Sequence, residues 1–325
     1  MTAGSRRRAP GFFGGEARSD SSDEPVSLWR FLAPRYWRVW ILVGWLRLCA
    51  ALPWRFSLAV HKQFGRWLGG RSRKTAAVVQ HNLARCFPDL PAAERAALAG
   101  EYFANMGAIV AELALAWFGR LEKINALFEI EGQANLERAL ADGHGVILCA
   151  GHFTPLELAV MGVATCTPRY ALLYNRRRNR LLSEIQRRAR VRYASGSFEK
   201  RNLRLLLRRL RENTVVWFSA DEAHTGKASA LIPFFGEPAL TNTSLSRLAR
   251  LSGARLVPVS YCRKADDSGY RLRFGAPLEN FPSDDAVADT RRLVALLEEQ
   301  IRESPAQYFW KQKRFRRRRG EPADS

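Results

Sequence analysis

The 325-residue sequence predicts an α/β fold, with a mixed, mostly buried central sheet flanked by helices and an N-terminal membrane helix ahead of it. Three observations predict it. From residue 75 onward, stretches of helical periodicity alternate with short runs of strand length, the pattern of layered α/β proteins. Several of those runs are almost continuously apolar, as strands are when both sheet faces are covered. Tyr36 to Val60 is apolar except for Arg38, Arg47 and Arg55, and exceeds the about 20 residues that cross a bilayer. Hydrophobic residues at 47% and charged residues at 26% suit a folded chain of this length.

Taken in order, residues 1–27 are polar, carry Arg6-Arg7-Arg8 and a Ser/Asp/Glu stretch, and read as a disordered tail. Residues 28–74 read as a membrane anchor with a basic flank. Arg47 would cost roughly 2.5–3.5 kcal/mol at the bilayer midplane, so it must snorkel or the helix must lie shallow. Trp37, Trp40, Trp45 and Trp54 favour an interfacial setting, and Lys62, Arg66, Arg71, Arg73 and Lys74 put this flank on the cytoplasmic side. A buried amphipathic helix is the alternative. A cleaved signal peptide fits poorly, because the apolar run starts far from Met1 and no small-residue cleavage pattern follows.

Residues 75–325 read as one α/β domain with a basic C-terminal tail. Pro91 to Phe118 has the period of a long helix, with Pro91 near its first turn. Strands are expected at 127–131, 145–150, 170–174, 214–220 and 255–262. Helices are expected at Asn202 to Glu212 and Ser244 to Leu251, the latter stopped by Gly253. Residues 270–274 would add an antiparallel edge, and Asp289 to Glu303 a closing helix.

Charge and cysteine usage narrow the function. Lys plus Arg number 52 against 31 Asp plus Glu, a formal net charge of +21, which points to nucleic acid, an anionic membrane or acidic ligands. Residues 176–192 hold eight arginines against Glu184 alone, and residues 311–319 hold seven Lys or Arg. Such runs are most often solvated faces. A nucleic-acid-binding protein is the rival reading, but the chain has no recognisable nucleic-acid module. Five cysteines without a CxxC pair argue against a disulfide framework or a cysteine zinc site. His224 near Asp221 and Glu222 lacks a second spaced histidine, so neither metal nor cofactor is expected. No Walker loop, GxGxxG, GxSxG or HExxH is present.

One histidine has an unusual setting. In GVILCAGHFTPLELA, His152 stands just past the carboxyl end of a buried strand, where α/β proteins bind ligands. Thr154 is a good N-cap, Pro155 suits the first helical position, and Glu157 then falls at the third. Glu157 could accept a hydrogen bond from one imidazole nitrogen, fixing the tautomer and leaving the other nitrogen as a general base. Thr154-x-x-Glu157 is equally a capping box, and the residues alone leave both readings open.

His-x4-Glu after a hydrophobic strand resembles the His-x4-Asp/Glu motif of the glycerolipid acyltransferases. The chain is similar in particular to the late acyltransferases of lipid A biosynthesis, which add secondary lauroyl or myristoyl chains. Matches run nearly its whole length: APRYW (33–37), HNLARCFPDL (81–90), NMGAIVAELALAWF (105–118), EGQANLERAL (131–140), WFSADE (217–222), PFFG (233–236), SRLARLSGA (246–254) and QYFWKQKRF (307–315).

The resemblance implies a glycerolipid acyltransferase-like fold and four catalytic residues: His152 as base, Glu157 as its partner, Arg190 and Asp221. It also implies substrate-binding roles for Tyr174, Arg176 and Lys227. Two departures bear on selectivity. Ala220 and Glu222 flank Asp221 where the family has Pro-Asp-Gln, and Tyr174-Asn175-Arg176 replaces Tyr-Arg-Pro.

The implied reaction is direct transfer of an acyl chain from acyl carrier protein to a hydroxyl of a Kdo-bearing lipid A precursor. Its implied setting is the cytoplasmic face of the bacterial inner membrane, with no nucleic acid involved. A lysophospholipid or aminolipid acceptor is the alternative. The positive charge then has an anionic membrane, a phosphorylated glycolipid and an acidic carrier protein to meet, and arginine suits phosphate because its planar fork donates two parallel bonds. Cys149, near His152, is the one residue that would favour an acyl-enzyme instead.

Overall fold

The computed structural model of the chain describes residues 26–69, 71–174, 179–199, 202–219, 221, 226 and 228–315. Among them, seven strands form one mixed sheet. They are β1 (Phe128–Glu131), β2 (Val146–Ala150), β3 (Tyr170–Tyr174), β4 (Gly196–Glu199), β5 (Val215–Ser219), β8 (Arg255–Arg263) and β9 (Tyr270–Phe274). Their order is β1-β9-β8-β2-β5-β3-β4. Strands β8, β2, β5, β3 and β4 are mutually parallel, with β4 at the edge, while β9 runs antiparallel to β8 and parallel to β1. Residues 270–274 are therefore antiparallel as expected but not an edge, because β1 closes the sheet outside them. A separate antiparallel hairpin, β6 (Ser229–Phe234) and β7 (Glu237–Asn242), was not legible in the sequence.

The continuous apolar runs have the cause expected for them. In β2, Val146, Leu148 and Ala150 face one core while Ile147 and Cys149 face another. In β5, Val215 and Trp217 join the first core and Val216 the second. Side chains on successive strand residues point to opposite faces, so a sheet covered on both faces shows no polar alternation. The second face is covered by α9 (Leu203–Arg211) and α10 (Ser244–Ser252), through Leu205, Leu206, Leu210, Leu245 and Leu248. On the first face lie α3 (Arg73–Cys86), α4 (Ala92–Phe118), α6 (Gln133–Ala141) and α7 (Leu156–Cys166). The short helix α5 (Leu121–Asn125) precedes β1, α8 (Arg180–Arg190) lies between β3 and β4, and α11 (Ala286–Glu303) follows β9. Pro91 is the N-cap of α4, one residue before its first turn.

A buried ionic network fastens α4 to the sheet. Arg263 of β8 donates to Glu112 of α4 at 2.6 Å and to Asp267 at 2.9 Å, and also bonds Asn105. The Tyr270 hydroxyl donates to Glu112 at 3.1 Å. Both Glu112 and Arg263 side chains are 2% exposed.

The expected N-terminal membrane helix is corrected. Residues 36–60 are not one helix: α1 (Trp37–Ala51) and α2 (Trp54–Gly69) are separated at Leu52-Pro53. Leu52 is extended, as a residue before proline tends to be, and proline cannot supply the amide that would continue α1. No helix among the described residues is long and apolar enough to cross a membrane. Both helices pack on α4. Gly65 of α2 and Gly107 of α4 make the second packing possible, since a Cβ at either position would strike the other helix's backbone.

The apolarity is divided between two faces instead. Val43, Leu46 and Cys49 of α1 and Leu58 of α2 are buried. Trp37, Ile41, Trp45 and Leu48 form a second stripe on α1, exposed to solvent, and Phe56, Val60, Phe64 and Trp67 form one on α2. Successive members of each stripe are three or four residues apart, the spacing of one helical face.

Candidate active site

β2 and β5 are parallel neighbours, with Ala150 opposite Ser219 at their carboxyl ends. Each chain then leaves the sheet, and two residues further on stand His152 and Asp221. Parallel register thus brings together two residues far apart in sequence. Asp221 accepts from His152 Nδ1 at 2.6 Å and from the His152 backbone amide at 2.8 Å. An ionised carboxylate only accepts, so Nδ1 carries the hydrogen of this bond. The aspartate side chain is fully enclosed, whereas the imidazole is 21% exposed. Burial opposes a charge on Asp221. The His152 ring and its two hydrogen bonds, with Arg314 nearby, outweigh that and hold the carboxyl below its ordinary value.

The turn carrying His152 is held by backbone bonds to distant parts of the chain. The Phe153 amide donates to the Tyr261 hydroxyl at 3.0 Å, and that hydroxyl donates to the Gly151 carbonyl at 2.8 Å. A Cβ at Gly151 would meet the end of the Leu297 side chain of α11, which would have to shift to admit it.

The expected pairing of His152 with Glu157 is replaced by a different one. Glu157 Oε1 accepts from Arg190 at 2.6 Å and from Gln186 at 2.8 Å, both on α8. The capping box is replaced as well. α7 begins at Leu156 with Pro155 as N-cap, and the Thr154 hydroxyl caps nothing. The physical reason is tertiary: the Thr154 amide is taken by the Gln307 carbonyl at 2.8 Å, and Glu157 turns to a buried guanidinium rather than back along its own helix. Burial opposes the charge on Arg190, but Glu157 and the adjoining Tyr193 more than offset it. Arg190 Nε and Glu157 Oε2 are both buried without a hydrogen bond.

Of the four residues that the resemblance implied, the structure makes two pairs, His152–Asp221 and Glu157–Arg190. Tyr261 and Gln186 were missed, and only the fold brings them to the site. Tyr174 is the last residue of β3. Its side chain, together with Arg176, Lys227 and His224, lies outside the described residues, as does nearly all of the 1–27 tail.

The motif and its setting find a counterpart among known proteins. The family described as bacterial lipid A biosynthesis acyltransferase matches residues 25–317 of this chain. The chain belongs to that family. It is 33% identical over 289 residues to a lipid A biosynthesis palmitoleoyltransferase of Escherichia coli (strain K12), covering 89% of this chain and 94% of that protein. It is 30% identical over 288 residues to the lipid A biosynthesis lauroyltransferase of the same strain, covering 88% and 94%. A lipid A biosynthesis myristoyltransferase, again of that strain, is 24% identical over 284 residues, covering 86% and 87%.

In this lipid A acyltransferase the thiol nearest the site is poorly suited to attack. Burial, with Asp221 close by, pushes the Cys149 thiol up to about 12, so almost none of it is thiolate near neutral pH. Among the described residues no group of three His, Cys, Asp or Glu side chains is arranged to hold a metal ion.

Proposed function

We propose that this lipid A acyltransferase moves a secondary fatty acyl chain from acyl carrier protein to a hydroxyl of a Kdo-bearing lipid A precursor, by direct transfer with His152 as general base. The observation that carries the mechanism is the 2.6 Å hydrogen bond from His152 Nδ1 to the enclosed Asp221 carboxylate. That bond orients the ring and stabilises its protonated form, which favours uptake of a proton at Nε2.

In the proposed step, Nε2 removes the acceptor hydroxyl proton as the oxygen bonds to the thioester carbonyl carbon. Collapse of the tetrahedral intermediate breaks the carbon–sulfur bond, and the proton passes from Nε2 to the departing sulfur. Electrons and protons balance without an acyl-enzyme, in keeping with the buried Cys149 thiol. Arg190, fixed by Glu157, supplies positive charge for the oxyanion or for a substrate headgroup. In this reading Glu157 positions Arg190, while Tyr174, Arg176 and Lys227 bind substrate.

The reaction is proposed for the cytoplasmic face of the bacterial inner membrane. The enzyme would be monotopic there, its α1 and α2 stripes in the lipid interface. Two features favour a lipid surface over a protein partner: the stripes are rich in tryptophan, and Arg35, Arg38, Arg55, Arg66 and Arg71 lie among and beside them.

Labelled acyl-carrier protein incubated with a Kdo-bearing tetra-acylated precursor tests the reading. Product from wild type and none from folded His152→Ala is the expected result. Transfer only to a lysophospholipid or an aminolipid would replace the acceptor, and equal product from both proteins would remove His152 from the mechanism.

A further inference from the structure

The segment that follows α11 lies against the His152 turn and bonds its backbone. The Gln307 carbonyl accepts from the Thr154 amide at 2.8 Å, and the Phe309 amide donates to the His152 carbonyl at 3.0 Å. Between them Phe153 and Tyr308 form an antiparallel bridge, with their rings 5.5 Å apart. The strap is itself anchored from several directions. The Gln307 side chain makes two 2.8 Å bonds to the Arg263 backbone. Asn105 donates to the Ala306 carbonyl at 3.0 Å, and Asn82 donates to the Trp310 carbonyl at 2.7 Å. Tyr308 is 2% exposed, and its hydroxyl is buried without a satisfied hydrogen bond. That phenol is pushed well up by burial and by the neighbouring Asp221 carboxylate.

From this arrangement we infer that residues 305–310 are a positioning strap for the reaction centre, in which the Gln307 carbonyl and the Phe309 amide set the His152 turn and the Tyr308 ring packs on Phe153. The inference rests on the reading of His152 and Asp221 as base and partner. None of these strap groups touches the reacting atoms. They act through the turn, which has few other ways to hold its backbone: Asp221 takes the His152 amide, Tyr261 the Phe153 amide, and the strap the remaining bonds. The groups facing Asp221 are His152, Arg314, Tyr308, Tyr261 and Cys149. Freeing the strap at Gln307, or at its Asn82 anchor, loosens the turn, weakens the His152–Asp221 pairing and lowers the His152 midpoint.

The test follows the His152 C2 hydrogen by deuterium exchange and mass spectrometry across pH, in the full chain and in Asn82→Ala and Gln307→Ala, alongside acyl-transfer kinetics and Tm. Expected are midpoints displaced downward in both variants. With them should come a roughly tenfold or greater loss of kcat at unchanged KM for donor and acceptor. Midpoints that coincide with wild type in both variants would overturn the strap, as would kcat losses that only track a lower Tm. If wild type transfers no acyl chain, the functional reading fails, and the His152 titration still decides the strap.

Discussion

At the scale of single residues, two carboxylates of the acyltransferase have different partners. Asp221 faces His152, and Glu157 faces Arg190. Replacing Asp221 by Asn keeps the shape but removes the charge that favours imidazolium, so kcat is expected to fall about 10²- to 10⁴-fold. The acidic limb of the pH–rate profile should also move to lower pH. Glu157→Gln leaves the His152 pair intact and should lower kcat without moving that limb, and a matched shift in both variants would refute the division. Asp221 also links stability to pH. Its folded value lies below its unfolded one, so its contribution is complete above the unfolded value near 3.8 and is lost as pH falls through the lower folded value. The gap in Tm between wild type and Asp221→Asn should therefore narrow on acidification below about pH 4, as thermal melts at a series of pH values would record.

At the scale of elements, the most exposed dependence is that of α4 on the Arg263 network. Arg263→Ala would leave the Glu112 carboxylate buried beside only the Tyr270 hydroxyl, and breaking such a pair costs about 3–5 kcal/mol. Urea denaturation should show that loss, and a paired Arg263→Met, Glu112→Leu variant should regain most of it. Strands β2, β3, β5 and β8 were legible to within a residue or two, because their apolar runs reflect burial on two faces. The hairpin β6–β7 and strand β4 were not: Gly196–Glu199 has only one aromatic residue, and Pro233 and Pro238 interrupt the hairpin signal. α1 and α2 were read as one element because hydropathy adds across Leu52-Pro53, whereas the backbone does not continue through it. The capping box near His152 was legible as a pattern, yet the Gln307 carbonyl and the Arg190 guanidinium won its groups.

At the scale of the whole molecule, an unspanning N-terminal pair of helices leaves two apolar stripes facing outward on a protein of net charge +21. The protein is expected to sediment with vesicles containing anionic lipid, less so as salt rises, because surface charge is screened within about 10 Å at 0.1 M. Ile41→Ser together with Trp45→Ser should weaken that partition by about tenfold or more, since each side chain would otherwise leave water for the interface. Binding equal to wild type would assign the stripes another role.

While the resemblance added Arg190 and Asp221 as candidates, composition and local pattern by themselves determined a good deal: an α/β chain, the strands with two buried faces and the strand-end histidine. Those are properties of short windows, where burial, helix spacing and turn chemistry act on neighbouring residues. Tertiary structure decided how the four residues pair. Parallel register between β2 and β5 sets His152 against Asp221, sixty-nine positions away, and packing of α7 on α8 turns Glu157 toward Arg190. It also decided that the N-terminal apolar run lies in two helices with one face on α4. A hydrogen bond between distant residues depends on distance in space, and only the assembled sheet and its helices supply that distance.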